Sequence, residues 1–143
     1  MYTYNFPRPA VTADCVIVSE DAQGCHRLLL VQRGNEPFKG CWALPGGFME
    51  MDETLEECAR RELKEETGLE TAARFEELKS FSTLDRDPRG RTITVAFLAV
   101  VPMAEVKGND DAAEACWFSF DELPQLAFDH DEIVALARQR LAI

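Results

Sequence analysis

The chain has 143 residues, 46% of them apolar and 29% charged, and its 26 acids against 15 lysines and arginines give a formal charge of −11. That is the size of one domain with a real core, and no run approaches the ~20 apolar residues of a membrane span. A surface this acidic releases no phosphate counterions, which argues against nucleic acid as a partner, while a small polyanion would need a metal or a local arginine cluster to approach.

Five cysteines, at positions 15, 25, 41, 58 and 116, are odd in number, irregular in spacing and without a CxxC pair, so neither a zinc site nor a redox motif is indicated. Cys15 and Cys58 fall on apolar patterns and read as core thiols. A reducing, cytoplasmic setting is expected. The opening MYTYNFPRPA has no basic segment followed by an apolar one, so no signal peptide is read there.

Residues 1–9 form an extended lead-in, since Pro7 and Pro9 exclude helix. Tyr2, Tyr4 and Phe6 alternate along it, which favours packing or a homodimer contact over stacking on a ligand. Residues 10–18 and 26–32 are strands rich in β-branched and apolar residues, joined by the turn Asp21-Ala22-Gln23-Gly24. A loop of breakers follows at 33–40. Arg33 at its start is either a plain surface arginine or a clamp for a diphosphate. Trp42 reads as a packing residue, and Ala43-Leu44 as a short strand that delivers Gly46-Gly47.

The helix expected next spans Leu55–Thr67. Thr54 with Glu57 is a capping-box pair, and Gly68 suits the left-handed turn past a helix end. At about 100° per residue, Leu55, Cys58, Ala59 and Leu63 form the apolar stripe. Glu62 and Glu66 project within that arc and Glu65 lies on its edge, while Glu56, Glu57, Arg60 and Lys64 take the flank and far side. Ordinary i,i+4 pairing could account for some of these charges. Carboxylates converging on an apolar face repel and are costly to desolvate. One arginine, Arg61, is not enough for three of them, and a hard divalent cation with oxygen ligands is the cheapest resolution.

The register is Gly47, five residues, Glu53, seven residues, Arg61-Glu62-Leu63, one residue, Glu65-Glu66, one residue, Gly68-Leu69. It resembles the Nudix box, G-x5-E-x7-R-E-U-x-E-E-x-G-U with U aliphatic, at every fixed position. The lead-in Gly40-Cys41-Trp42-Ala43-Leu44-Pro45-Gly46-Gly47 is also similar to the approach to the box in that family.

Beyond the helix, residues 73–83 and 92–101 are strands around the polar turn Asp85-Arg86-Asp87-Pro88-Arg89-Gly90-Arg91. This hairpin resembles that of Nudix proteins of the ADP-ribose pyrophosphatase type. Arg86, Arg89 and Arg91 are either solvated loop charges or contacts to a ribose, a phosphate or a second subunit. Residues 106–113 are a loop and 114–120 a strand. In the resembled family this region often lends an acid to the site. Glu114 is the first candidate, with Asp110 and Asp111 behind it, and all three could equally be loop charges. Asp129 with Glu132 reads as a second capping box, opening a helix over 131–141. His130 reads as a cap-region residue that could touch an adenine.

Strands with two helices predict an α+β fold, a mixed β-sheet between helices, and the resemblance implies the same: one Nudix-type α/β/α sandwich over residues 1–143. It further implies a hydrolase of nucleoside diphosphates linked to another moiety, with ADP-ribose giving AMP and ribose 5-phosphate as the first expectation. Carried over by position, Glu62, Glu65 and Glu66 are metal ligands for Mg2+, with Mn2+ also acceptable. Gly46 and Glu53 are candidate metal-site neighbours, Arg61 orients the acids, and Gly46, Gly47, Arg33, Arg86 and Arg91 are candidate substrate contacts. The general base is left open among Glu65, Glu114 and a hydroxide acting without a protein base. Two other functions stay in view. One is a nucleoside triphosphate pyrophosphohydrolase releasing pyrophosphate. The other is an ADP-ribose-sensing regulatory module, which the charge of −11 disfavours because such a regulator must hold DNA.

Overall fold

The apolar run AVTADCVIVSE becomes the central strand β1 (Ala10–Glu20) in a computed structural model that describes residues 1–108 and 112–143. Its partner β6 (Thr92–Val100) runs parallel to it, from Ala10 opposite Thr92 to Val18 opposite Val100. On its other edge β1 has two partners in turn. Val18 to Glu20 pair antiparallel with β2 (His26–Arg33), and Thr12 to Asp14 pair antiparallel with β4 (Gly46–Phe48). The short β3 (Trp42–Ala43) and β7 (Ala112–Ser119) add to β2, and β5 (Glu76–Phe81) adds to β6, giving a mixed sheet of seven strands among the described residues.

Two helices cover the two faces. The alternation of a strand sends Ala13, Cys15 and Ile17 to one side, where they pack with Cys58, Ala59 and Leu63 of α1 (Leu55–Thr67). It sends Val16 and Val18 to the other, against Ile133, Val134 and Ala137 of α2 (His130–Leu141). A strand packed on both faces must be apolar throughout, which is why β1 lacks a polar alternation. Each fully buried aliphatic side chain here, Leu63 among them, contributes about 2 kcal/mol. This is the expected sandwich.

The start of α1 is as its sequence predicts: Thr54 accepts the Glu57 amide, Glu57 accepts the Thr54 amide, and Gly68 closes the helix at φ 77°. The second capping box is not formed. Asp129 precedes α2 but makes no side-chain cap bond; its carboxylate takes Arg86, with Nη2–Oδ1 at 2.6 Å and Nε–Oδ2 at 2.8 Å. A buried guanidinium needs a counterion more than a helix end needs a cap that water can replace. The strand expected over 73–83 is shorter, Glu76–Phe81, and the one expected from residue 114 begins at Ala112. Strand β4 was not anticipated, because a glycine pair carries no strand propensity.

Candidate active site

A strand that changes partner must leave one neighbour before it joins the next. β1 pairs with β2 only from Val18 onward and with β4 only up to Asp14, so β1 and β2 splay apart. A cleft of about 480 Å³ opens into that splay. Its walls come from the sheet ends, from Glu62 and Glu66 of α1, from Arg86 to Arg89 in the β5–β6 connection, and from Phe128 and His130 at the entry to α2.

The glycine pair is required by crowding. A Cβ on Gly46 would run into the Ala13 carbonyl and the Asp14 carboxylate, and one on Gly47 would stand 2.6 Å from the Glu62 carboxyl carbon. Gly46 can therefore present its amide to Glu66 Oε1 at 2.8 Å. Burial pushes the Glu66 carboxyl up to about 8, and the neighbouring charges of Glu62 and Asp14 push the same way, against the Gly46 amide and Arg33. Burial also raises Glu62, although Arg61 opposes it.

Arg61 distributes its guanidinium over three acids. Nε and Nη2 grip Glu53 at 2.9 and 2.7 Å, and Nη1 reaches Glu62 at 2.8 Å and Glu65 at 3.1 Å. Glu53 also accepts the Glu50 amide, and its carboxyl falls to about 2 under the hold of Arg61. Glu53 thus anchors Arg61, away from the cleft lining. Glu65 is half-exposed, bound to Arg61 and likewise outside the lining. Glu62 and Glu66 are the acids of α1 that face the cleft.

The same cleft is lined by cations and aromatic rings. Arg33 lies over the Phe128 ring at 5.0 Å, and Arg89 lies 4.8 Å from Phe48 and 5.3 Å from Phe128. The buried Asp87 carboxylate holds Arg89 with Nη2–Oδ2 at 2.8 Å. Phe128 sits at φ 53°, a costly conformation for an aromatic residue, between Ala127 and the Arg86-bound Asp129. Arg86 does reach the lining, but as a buried ion pair with Asp129.

Two expected site residues lie elsewhere. Glu114 is exposed opposite Gln32, because β7 turns Ala112 and Ala115 inward and leaves Ala113 and Glu114 to solvent. Arg91 is exposed outside the cleft, its Nη1 3.5 Å from the Thr83 carbonyl. Asp110 and Asp111 lie outside the described residues. Asp14, Asp87, Phe48 and Phe128 line the cleft and were not singled out from sequence. Asp14 had a usable signal: an acid inside a strand apolar on both faces must meet a polar site.

Among the described residues no three His, Cys, Asp or Glu side chains already stand as a cage for an ion. The donor set nonetheless fits a hard divalent cation. Glu62 and Glu66 are oxygen donors, both raised by burial, and the hydrogen bond on Glu66 comes from an amide rather than a guanidinium.

Fold and cleft together define an α/β/α-sandwich protein whose cleft joins the carboxylates of one helix with arginines and aromatic rings. The NUDIX domain matches residues 8–137, and the chain belongs to that family. It is 48% identical over 130 residues to an ADP-ribose pyrophosphatase of Methanocaldococcus jannaschii, covering 88% of this chain and 71% of that one. It is 37% identical over 142 residues to the ADPR-responsive transcriptional repressor NtrR of Acinetobacter baylyi, covering 96% of this chain but 56% of the repressor. Among solved structures, the NUDIX domain of Shewanella oneidensis NrtR in complex with ADP ribose superposes with a TM-score of 0.89 at 33% identity, over 95% of this chain and 90% of that one.

Proposed function

We propose that the cleft hydrolyses the diphosphate bridge of ADP-ribose, giving AMP and ribose 5-phosphate, with Mg2+ as the cofactor. The observation that carries this is that Glu62 and Glu66 line one cleft together with Arg33, Arg89, Phe48 and Phe128. The likeness to a pyrophosphatase of that substrate supports it.

Hydrolysis adds water across one P–O bond: one phosphorus gains a hydroxyl, and the bridging oxygen leaves on the other with the proton. Glu62 and Glu66 would hold the cation, which when bound neutralises phosphate oxygens and activates water. Arg61 keeps Glu62 in place while it holds Glu53 and Glu65. Gly46 and Gly47 let the chain pass close to those carboxylates. Arg33 offers a guanidinium to the diphosphate, and Phe48 and Phe128 offer faces to the base. Asp14, under Gly46, adds negative charge to the acidic side.

A panel of ADP-ribose, other nucleoside diphosphate derivatives and nucleoside triphosphates with Mg2+, read by product identity, is the test. AMP and ribose 5-phosphate are expected. Pyrophosphate released from a triphosphate would replace this reading with the sanitising one, and binding of ADP-ribose without turnover would favour a sensing role, for which the likeness to the repressor is the support. We place the protein in a reducing cytoplasm, in keeping with five free thiols. The exposed Tyr2, Tyr4 and Phe6 are the proposed homodimer contact, to be checked by light scattering.

A further inference from the structure

The segment leading into α2 is fastened to the sheet beside the cleft. Ala127 donates its amide to the Trp42 carbonyl at 2.8 Å, and Leu126 bridges Trp42 in parallel. Two residues further along the sheet, the Leu44 amide donates to Nδ1 of His130 at 3.0 Å, a buried bond between residues 86 positions apart. An imidazole that accepts an amide proton on Nδ1 carries its own proton on Nε2. That nitrogen lies 3.6 Å from Asp14 Oδ2, whose carboxylate also takes the Thr94 hydroxyl at 2.5 Å. Asp14 in turn sits under Gly46, its register partner, and Gly46 is the residue that grips Glu66. The chain from Leu44 to Gly46 is therefore held at one end by His130, in the middle by the bond from the Cys15 amide to the Pro45 carbonyl at 2.8 Å, and at the other end by Glu66.

We propose that His130 is a positioning residue for the metal site. Its Nδ1 fixes the Leu44 amide, and through the rigid Leu44-Pro45-Gly46 turn it sets where the Gly46 amide meets Glu66. It lines the cleft wall, and the role argued for it runs through the Leu44 amide rather than through a bond to the cation. Partners hydrogen-bonded directly to a ligand change metal affinity by about 10–100-fold when removed; Gly46 is that partner here, and His130 acts one step behind it, so the low end of the range is expected. This rests on the reading that Glu62 and Glu66 take a divalent cation.

The amide isosteres separate the two ring nitrogens. An Asn side chain can put an acceptor where Nδ1 stands, a Gln side chain a donor where Nε2 stands, and Phe neither. Mn2+ is titrated by electron paramagnetic resonance into the full chain without substrate, and hydrogen exchange of the Leu44 amide is followed by nuclear magnetic resonance without metal. Wild type and His130→Asn should bind Mn2+ alike and protect the Leu44 amide. His130→Phe and His130→Gln should lose that protection and bind about tenfold more weakly. Should His130→Phe not fold, His130→Gln carries the comparison. Unchanged Mn2+ binding in His130→Gln overturns the proposal, and so does an equal loss in all three variants, which would mark a packing role. A wild type that binds no Mn2+ overturns the metal reading, and this inference with it, whatever the variants do.

Discussion

Glu66 carries the sharpest conflict between folding and function. In water its carboxyl would titrate near 4.5, and in the cleft burial holds the proton up to about 8. Between those values the native chain binds more protons than the unfolded one, so metal-free stability is highest below pH 4.5 for this group and falls as pH rises toward 8. The full penalty is on the order of a few kcal/mol. Glu66→Gln should therefore raise the melting temperature of the chelator-treated protein at pH 8.5 and leave it unchanged at pH 4. The same substitution should lower kcat/KM by roughly 100-fold or more, because a neutral amide binds a hard cation poorly. Cation affinity of the wild type should rise about tenfold per pH unit until pH 8, as each cation displaces that proton. Equal melting temperatures at pH 8.5, or full activity in the variant, would remove Glu66 from the proposed role.

The two helices begin in different ways, and the difference can be measured. Thr54 and Glu57 close a reciprocal, exposed capping box on α1, so Thr54→Ala should cost about 1 kcal/mol in urea unfolding. At α2, Asp129 faces a guanidinium with 4% side-chain exposure. Asp129→Ala strips that buried charge of its hydrogen-bonded counterion, leaving the more distant Asp14 and Asp87 to act on it, and should cost about 3–5 kcal/mol. The double variant Arg86→Met with Asp129→Ala should recover part of it, since no orphan charge remains. A loss in the double variant equal to the sum of the two single losses would show that Arg86 and Asp129 are not energetically coupled to each other. The sequence offered both starts as the same motif, because Ser, Thr or Asp followed three residues later by Glu looks alike whichever partner the side chain chooses. Only the approach of Arg86, 43 residues earlier in the chain, decides that Asp129 is an anchor.

At the scale of the molecule, what was legible in sequence was what depends on local spacing: the helix α1 with its acids, and apolar strands that belong to a sheet between helices. Arg61 and Glu53 share this helix and its lead-in, so their register was readable, though not that they would grip each other. The aromatic and cationic lining was not legible, because Phe48, Arg89 and Phe128 meet only through tertiary closure. The exposure of Glu114 was not legible either, because a bulge in the β2–β7 pairing, between Gln32 and Arg33, leaves both Ala113 and Glu114 outside. Charge is the global property that survives all such detail. A protein of formal charge −11 repels a diphosphate until it reaches the local field of Arg33 and Arg89. Raising KCl from roughly 10 to roughly 150 mM shortens the Debye length from about 30 to about 8 Å. That screens the distant acids more than the guanidinium groups lining the cleft, so kcat/KM for ADP-ribose at fixed free Mg2+ should rise over this range while kcat stays level. A steady fall in kcat/KM would mean that the arginines, not the net charge, govern encounter, and Arg89→Ala should then abolish the salt dependence.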